Sequence, residues 1–314
     1  MEKLDPELRK ALDKAVSHAV AYTENLDQAF VAATVDVETL RSRLAKELNY
    51  AGMQPSEVVD ELARDVEGGL IGSAGGRFFG WVIGGVLPAA LAADWMTSAW
   101  QQNAALYATS PAAAMVEEVV GEWLKDLLRL PHTASFALVT GCQMAHVTSL
   151  AAARHGLLAR HNWDVETKGL FGAPRIRILT SSARHGSFTR AVRLLGFGTD
   201  QIELLSVDSE DRLPTAALEE ALRKDPTAPT IVGLQAGEIN IGAYDNFTEL
   251  IPIAKKFGAW VHVDGAFGLW VATSDRLRQL VEGVEEADSW ATDGHKWLNV
   301  PFDCGFAFVA DPQS

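Results

Sequence analysis

Residues 135–160 read SFALVTGCQMAHVTSLAAARHGLLAR, and this stretch decides the fold class. It opens with a short apolar run, Ser135 to Val139, and passes through Thr140-Gly141-Cys142-Gln143. A helical pattern then runs from Met144 to Ala159. A strand feeding through a glycine into a helix is the repeating joint of an α/β protein. The alternation recurs downstream. Short apolar runs stand at Arg175 to Leu179, Ile202 to Leu205, Thr230 to Leu234, Trp260 to Val263 and Phe306 to Val309. Helix candidates lie among them at Phe188 to Leu195, Thr215 to Lys224 and Phe247 to Phe257. The pattern predicts an α/β fold with a mostly parallel central sheet flanked by helices. Ligands of such sheets sit beyond the carboxyl ends of the strands.

The upstream part has a different texture. Residues 5 to 70 read as peripheral helices, with Leu8, Leu12 and Val16 at four-residue spacing and a helix start at Pro55-Ser56-Glu57. Gly68-Gly69 and the glycines from Gly72 to Gly76 interrupt that pattern. The apolar stretch Phe78 to Trp95 carries Gly80, Gly84, Gly85, Pro88 and Asp94, so it predicts a turn or loop followed by a buried helix rather than a membrane span. That helix is expected from Pro88 to about Asn103, and another from Ala112 to Leu128.

Charge and cysteine usage narrow the class. With 41 acidic and 27 basic residues the formal net charge is -14, which argues against a nonspecific nucleic-acid surface. Cys142 and Cys304 do not make a disulfide framework, so a cytoplasmic setting is expected. The charged residues between Met1 and Lys14 are unlike a secretory leader. No metal-ligand set is expected.

Four positions beside the expected strand ends can carry chemistry. The turn at Thr140 leads free helix amides toward a strand end, the arrangement of a phosphate cradle, although it fits neither a Walker loop nor a dinucleotide fingerprint. Asp264, in His262-Val263-Asp264-Gly265-Ala266, stands where a carboxylate can keep a proton on a pyridine nitrogen, or can cap a helix. Lys296, in Asp293-Gly294-His295-Lys296-Trp297, is an amine between an imidazole and an indole, suited to imine chemistry or to a half-exposed structural role. His185, in Ser182-Ala183-Arg184-His185-Gly186-Ser187, offers a flat ring that stacks or moves a proton, or does neither. A phosphate cradle, a stacking group, an acid and an amine together make the parts list for pyridoxal 5'-phosphate.

Thr292 to Val300, TDGHKWLNV, and the HVDGA segment from His262 resemble the group II pyridoxal-phosphate-dependent amino-acid decarboxylase family of the aspartate-aminotransferase fold type. The similarity runs from about Gly75 to the end of the chain. The resemblance implies an N-terminal helical segment over 1–74 and a cofactor-binding large domain over 75–314. It makes Lys296 the lysine that carries the cofactor as a Schiff base, and Asp264 the partner of the pyridine nitrogen. Ala266 would lie against the ring and His185 would stack on its other face. Cys142 and Gln143 would serve the phosphate mainly through backbone amides, with His295 near the phosphate or the lysine.

The implied reaction is decarboxylation of an L-amino acid to an amine and carbon dioxide, by a homodimer. Other pyridoxal-phosphate chemistry, as in an aldehyde-lyase or aminotransferase, uses the same residues, and a noncatalytic homologue with a binding role stays open. The chain departs from the family in Cys142, Gln143 and Met144, where relatives carry small and acidic residues. It departs again at Glu238, where they carry a hydroxyl. The family also continues past the position of Ser314 into a small C-terminal domain, which this sequence is expected to lack.

Overall fold

The computed structural model describes residues 5–314, so the first four residues of the expected N-terminal segment lie outside the described residues. The chain divides into two units, Met1–Gly85 and Val86–Ser314.

The first unit holds α1 (Pro6–Asn25), α2 (Val37–Leu44) and α3 (Pro55–Asp65). Each start has a local cause. The Asp5 carboxylate accepts from the Glu7 amide, Asp36 accepts from the Thr39 amide, and Pro55 sits at the first position of α3. Polar contacts tie α1 to α3: His18 Nε2 lies 2.7 Å from Asp60 Oδ1, and Ser56 Oγ donates to Glu7 Oε2 at 3.0 Å. No residue of α1 is buried, so the spacing of Leu8, Leu12 and Val16 marks a helix without a covered core face.

The second unit begins with α4 (Pro88–Trp100) and α5 (Pro111–Leu128). The expectation of a buried helix after Pro88 is corrected here. None of the residues of α4 is buried, and Trp100 is 59% exposed, because the helix packs only marginally on the rest of its unit. On α5, Gly121, Leu124, Lys125 and Leu128 face inward, leaving Val116 and Trp123 outside.

There follow β1 (Ser135–Val139), α6 (Cys142–Arg160), α7 (Val165–Lys168), β2 (Arg177–Ser181), α8 (Gly186–Leu194) and β3 (Ile202–Leu205). The chain continues through α9 (Thr215–Lys224), β4 (Thr230–Gln235), α10 (Phe247–Lys256), β5 (Trp260–Asp264), β6 (Ser289–Asp293) and β7 (Gly305–Val309). The strands form one seven-stranded sheet in the order β1-β7-β6-β5-β4-β2-β3. Strand β7 runs antiparallel to β1 and β6, and every other pairing is parallel. The predicted α/β class and mostly parallel sheet are therefore the observed ones. Strand β6 is an addition to the pattern read from sequence.

Strand alternation assigns the two faces. Val261 and Val263 of β5, with Trp290 of β6, join the core under α5, α9 and α10. Trp260 joins the opposite core, formed with Leu150 and Leu157 of α6 and Phe188 of α8. His262 and Asp264 share that second face, so β5 presents an indole, an imidazole and a carboxylate to α6.

Candidate active site

The site is built from the carboxyl ends of β1, β2, β5 and β6. At the end of β1 the chain turns through Gly141, whose φ of 83° a side chain would resist, and enters α6 with no side-chain cap. Gly305 of β7 lies directly against this turn. A Cβ there would stand 2.4 Å from the Gly141 carbonyl carbon and 2.9 Å from the Cys142 nitrogen, so only a glycine admits the approach.

Asp293, the last residue of β6, fastens the turn. Its Oδ1 accepts from the Cys142 amide at 2.6 Å, and its Oδ2 lies 3.0 Å from Lys296 Nζ. Asp293 is 2% exposed, and its carbonyl accepts from Trp270 Nε1 at 3.0 Å. The Cys142 amide, expected at the phosphate, is thus engaged by a carboxylate. The Gln143 amide, also in the first turn of α6, has no acceptor within the helix. The Gln143 side chain bridges to α8, donating to the Ser187 carbonyl at 3.2 Å and accepting from Arg190 Nε at 2.9 Å. His295 stands beside the turn, with Nε2 3.6 Å from Asp293 Oδ1, while its Nδ1 accepts from the Cys304 amide at 3.2 Å.

Asp264 ends β5, immediately beside β6. Burial alone would raise its carboxyl pKa. The attraction of His146 and a hydrogen bond from it outweigh that effect and hold the group well below the usual carboxylate range. His146 Nε2 is 3.4 Å from Asp264 Oδ2, and Asp264 Oδ1 accepts from the Ala266 amide at 3.2 Å. Ala266 is thereby fixed at the same strand end.

His185 follows β2 and caps α8. Its Nδ1 accepts from the Ser187 amide at 3.3 Å and meets Ser187 Oγ at 2.7 Å. Burial lowers the imidazole below its ordinary value, opposed by the attraction of Asp264. Asp264 and Lys296 both act electrostatically on His185, and both act on Cys142, whose thiol burial pushes well up. The fold therefore brings together Lys296, Asp264, His185 and Cys142 from distant parts of the chain.

Two participants escaped the sequence reading. Asp293 was legible as part of its motif but not as the clasp between Lys296 and the α6 turn. His146 lies one helical turn beyond Cys142, a spacing that puts both on one face, and that was the available signal. Cys142, His146 and Asp264 bring a thiol sulfur, a ring nitrogen and a carboxylate oxygen within 4.8 Å of one another. A cavity of about 600 Å³ bordered by Arg212, Tyr244, Asp245 and Gln279 lies elsewhere and touches none of these residues. The chemistry of the side chains, not the size of a hollow, locates the site.

This donor set fits pyridoxal 5'-phosphate. A lysine amine is available to the aldehyde, an ionised and mostly buried carboxylate to the ring nitrogen, and the Gln143 amide behind a positive-φ glycine to the phosphate.

The family described as the pyridoxal-dependent decarboxylase conserved domain matches residues 41–314. An aromatic-L-amino-acid decarboxylase of Bacillus atrophaeus is 28% identical over 310 residues, covering 98% of this chain and 62% of that protein. Tryptophan decarboxylase 1 of Oryza sativa is 30% identical over 325 residues, with 97% and 62% covered. The acidic amino acid decarboxylase of Homo sapiens is 28% identical, covering 87% of this chain and 52% of its own length. The chain thus spans between 52% and 62% of the length of these relatives. Among solved structures, Oryza sativa TDC with PLP and tryptamine superposes with a TM-score of 0.90 at 26% identity, over 99% of this chain and 69% of that one.

Proposed function

The chain belongs to the pyridoxal-dependent decarboxylase family, and we propose on that footing that it decarboxylates an L-amino acid, releasing an amine and carbon dioxide. One observation carries this reading. Lys296 and Asp264 issue from the ends of the adjacent parallel strands β6 and β5, with the start of α6 clasped to Lys296 through Asp293.

In this reading Lys296 supplies the amine that holds the cofactor covalently. Asp264, kept ionised by His146, holds a proton on the pyridine nitrogen. His185 offers a neutral ring to one face and Ala266 a methyl group to the other. The Gln143 amide and His295 receive the phosphate, with Cys142 lining the turn. When bound, pyridoxal 5'-phosphate supplies the electron sink into which the carboxylate-bearing carbon discharges its electrons. Residues 75–314 act as the cofactor-binding large domain and residues 1–74 as a helical segment attached to it.

The remaining proposals concern partners and place. We infer a homodimer, supported by the exposed apolar surface of Trp100, Tyr107, Val116 and Trp123. A separate C-terminal segment is a further candidate partner, since the chain spans only 52% to 62% of its relatives' length. A cytoplasmic setting is supported by two free cysteines. Among the described residues no helix is long and apolar enough to cross a membrane.

Borohydride reduction of the cofactor-saturated chain followed by peptide mass spectrometry is expected to place a pyridoxyl group on Lys296. No adduct there after saturation refutes the cofactor reading. A screen of aromatic and acidic amino acids for amine and carbon dioxide then tests the reaction. An aldehyde or keto-acid product points to other chemistry on the same cofactor, and bound cofactor without any product to a binding role.

A further inference from the structure

Behind Asp264 the polar face of β5 continues into the interior. Trp260, His262 and Asp264 alternate with Val261 and Val263, so all three point toward α6. His146, on α6, is fully buried, and its Nδ1 lies 2.9 Å from His262 Nε2. His262, equally buried, sets its Nδ1 2.9 Å from Ser289 Oγ, and Ser289 Oγ accepts from Trp260 Nε1 at 2.9 Å. At the other end His146 Nε2 has Asp264 Oδ2 at 3.4 Å as an ion-pair neighbour and Cys142 Sγ at 3.6 Å as a hydrogen-bond partner. Phe188 meets His146 edge-on and stacks on His262, fixing both ring planes.

The two ends of this chain dictate its direction. An indole N–H only donates, and an ionised carboxylate only accepts. Trp260 gives its proton to Ser289, so the serine hydroxyl is free to donate to His262 Nδ1. His262 then carries its hydrogen on Nε2 and donates to His146 Nδ1. His146 in turn carries its hydrogen on Nε2 and donates to Asp264. With His146 neutral, reversal would aim its lone pair at the Asp264 carboxylate and leave the Ser289 proton without an acceptor in the chain. A buried polar group set against a like partner is costly, so one orientation follows for a pair of neutral rings. Burial pushes His262 down to about 3, with His146 adding to the effect and Asp264 opposing it, so a neutral ring is the state that this interior holds.

We propose that Trp260, Ser289, His262 and His146 form a one-way hydrogen-bond relay whose task is to position Asp264. The relay delivers a directed N–H to one carboxylate oxygen, which keeps Asp264 ionised and fixed in rotation despite its burial. His146 is thus a positioning residue that sets how strongly Asp264 holds the proton of a cofactor ring nitrogen. This inference rests on the cofactor reading of Lys296 and Asp264, but the relay itself exists in the cofactor-free chain and can be read there.

The first measurement is made without cofactor. Nitrogen-15 spectra of the histidine-labelled unmodified chain, assigned with single His variants, should show both His146 and His262 as neutral Nε2–H tautomers. An Nδ1–H tautomer or an imidazolium at either position overturns the relay.

The second measurement follows the visible spectrum and affinity of bound pyridoxal 5'-phosphate across pH. His146→Phe should weaken binding about tenfold, the scale on which outer-shell hydrogen bonds act, and move the pH at which the spectrum changes. His146→Gln, which restores an N–H, should recover most of both, and Ser289→Ala should fall between. Unaltered affinity and spectrum in His146→Phe overturn the proposal. If His146→Phe fails to fold, Ser289→Ala and the tautomer spectra decide. If the unmodified chain gives no borohydride-stable adduct at Lys296, the cofactor reading fails, and the tautomers still judge the relay.

Discussion

Asp293 holds Lys296 with one carboxylate oxygen and the Cys142 amide with the other, at 3.0 and 2.6 Å. One buried side chain therefore sets both the reactive amine and the start of α6. Asp293→Ala leaves an ammonium and a buried N–H without their acceptor, an expected loss of about 3 kcal/mol in urea unfolding. Asp293→Asn keeps one oxygen for the amide and should lose about half as much. Equal losses for the two variants would show that the charge, not the clasp on Cys142, does the holding.

Gly305 tests the close approach of β7 to the α6 turn. In Gly305→Ala the new methyl group meets the backbone of Gly141 and Cys142 rather than a flexible side chain. The strand or the turn has to move, with an expected cost of about 3 kcal/mol. Calorimetry should show a lower melting temperature, and cofactor affinity should fall with it. A variant with unchanged melting would mean that the turn yields freely.

His185 has two separable jobs. His185→Ala removes the cap of α8 and should cost about 1 kcal/mol in stability. His185→Asn restores a capping oxygen and should recover that loss, while cofactor affinity and turnover stay low because the ring is gone. Recovery of turnover by asparagine would reduce His185 to a cap.

Asp245 gives a pH signature away from the site. Burial raises its carboxyl to about 6 from the ordinary 3.8, against hydrogen bonds from the Leu213 and Gln235 amides at 2.8 Å each. Between those two values the folded chain holds a proton that the unfolded chain has released. Its contribution is therefore most favourable below about pH 4 and declines as pH rises through 6. Relative to Asp245→Asn, the unmodified chain should gain up to about 3 kcal/mol as pH falls across that window. A pH-independent difference between the two would place Asp245 in an ordinary, solvated state.

Exposed Trp123, at 62%, tests self-association. Trp123→Asp should shift sedimentation from dimer toward monomer, with the helical signal by circular dichroism retained. A monomeric unmodified chain would remove the homodimer.

The sequence disclosed the parts that are local. Gly141 before a helical pattern and Asp264 after an apolar run are one-dimensional signals, and each stands at a strand end. Strand β6 was hidden because Ser289, Thr292 and Asp293 interrupt any apolar run. Their polarity is compatible with burial because Thr292 donates to the Gly265 carbonyl, Ser289 joins the His262 chain and Asp293 clasps two partners. His146 was hidden for another reason. Its partner His262 is 116 residues away, and only the packing of α6 on β5 brings them together. The start of α6 was missed by two residues because a glycine cap carries no side-chain signal.

The reversal of β7 has a consequence for the reactive lysine. Parallel neighbours in this sheet are joined by long crossovers, whereas β6 and β7 run in opposite senses and are joined by a short loop. Lys296 rides on that loop, and both loop ends are sewn together where the Gly294 and His295 amides donate to the Cys304 carbonyl. The amine is a tethered reagent whose roaming is bounded by its own four-carbon arm. A cut in the chain between Lys296 and Cys304 would spare every strand residue yet release the amine from its leash, turning a local reactant into a dilute one.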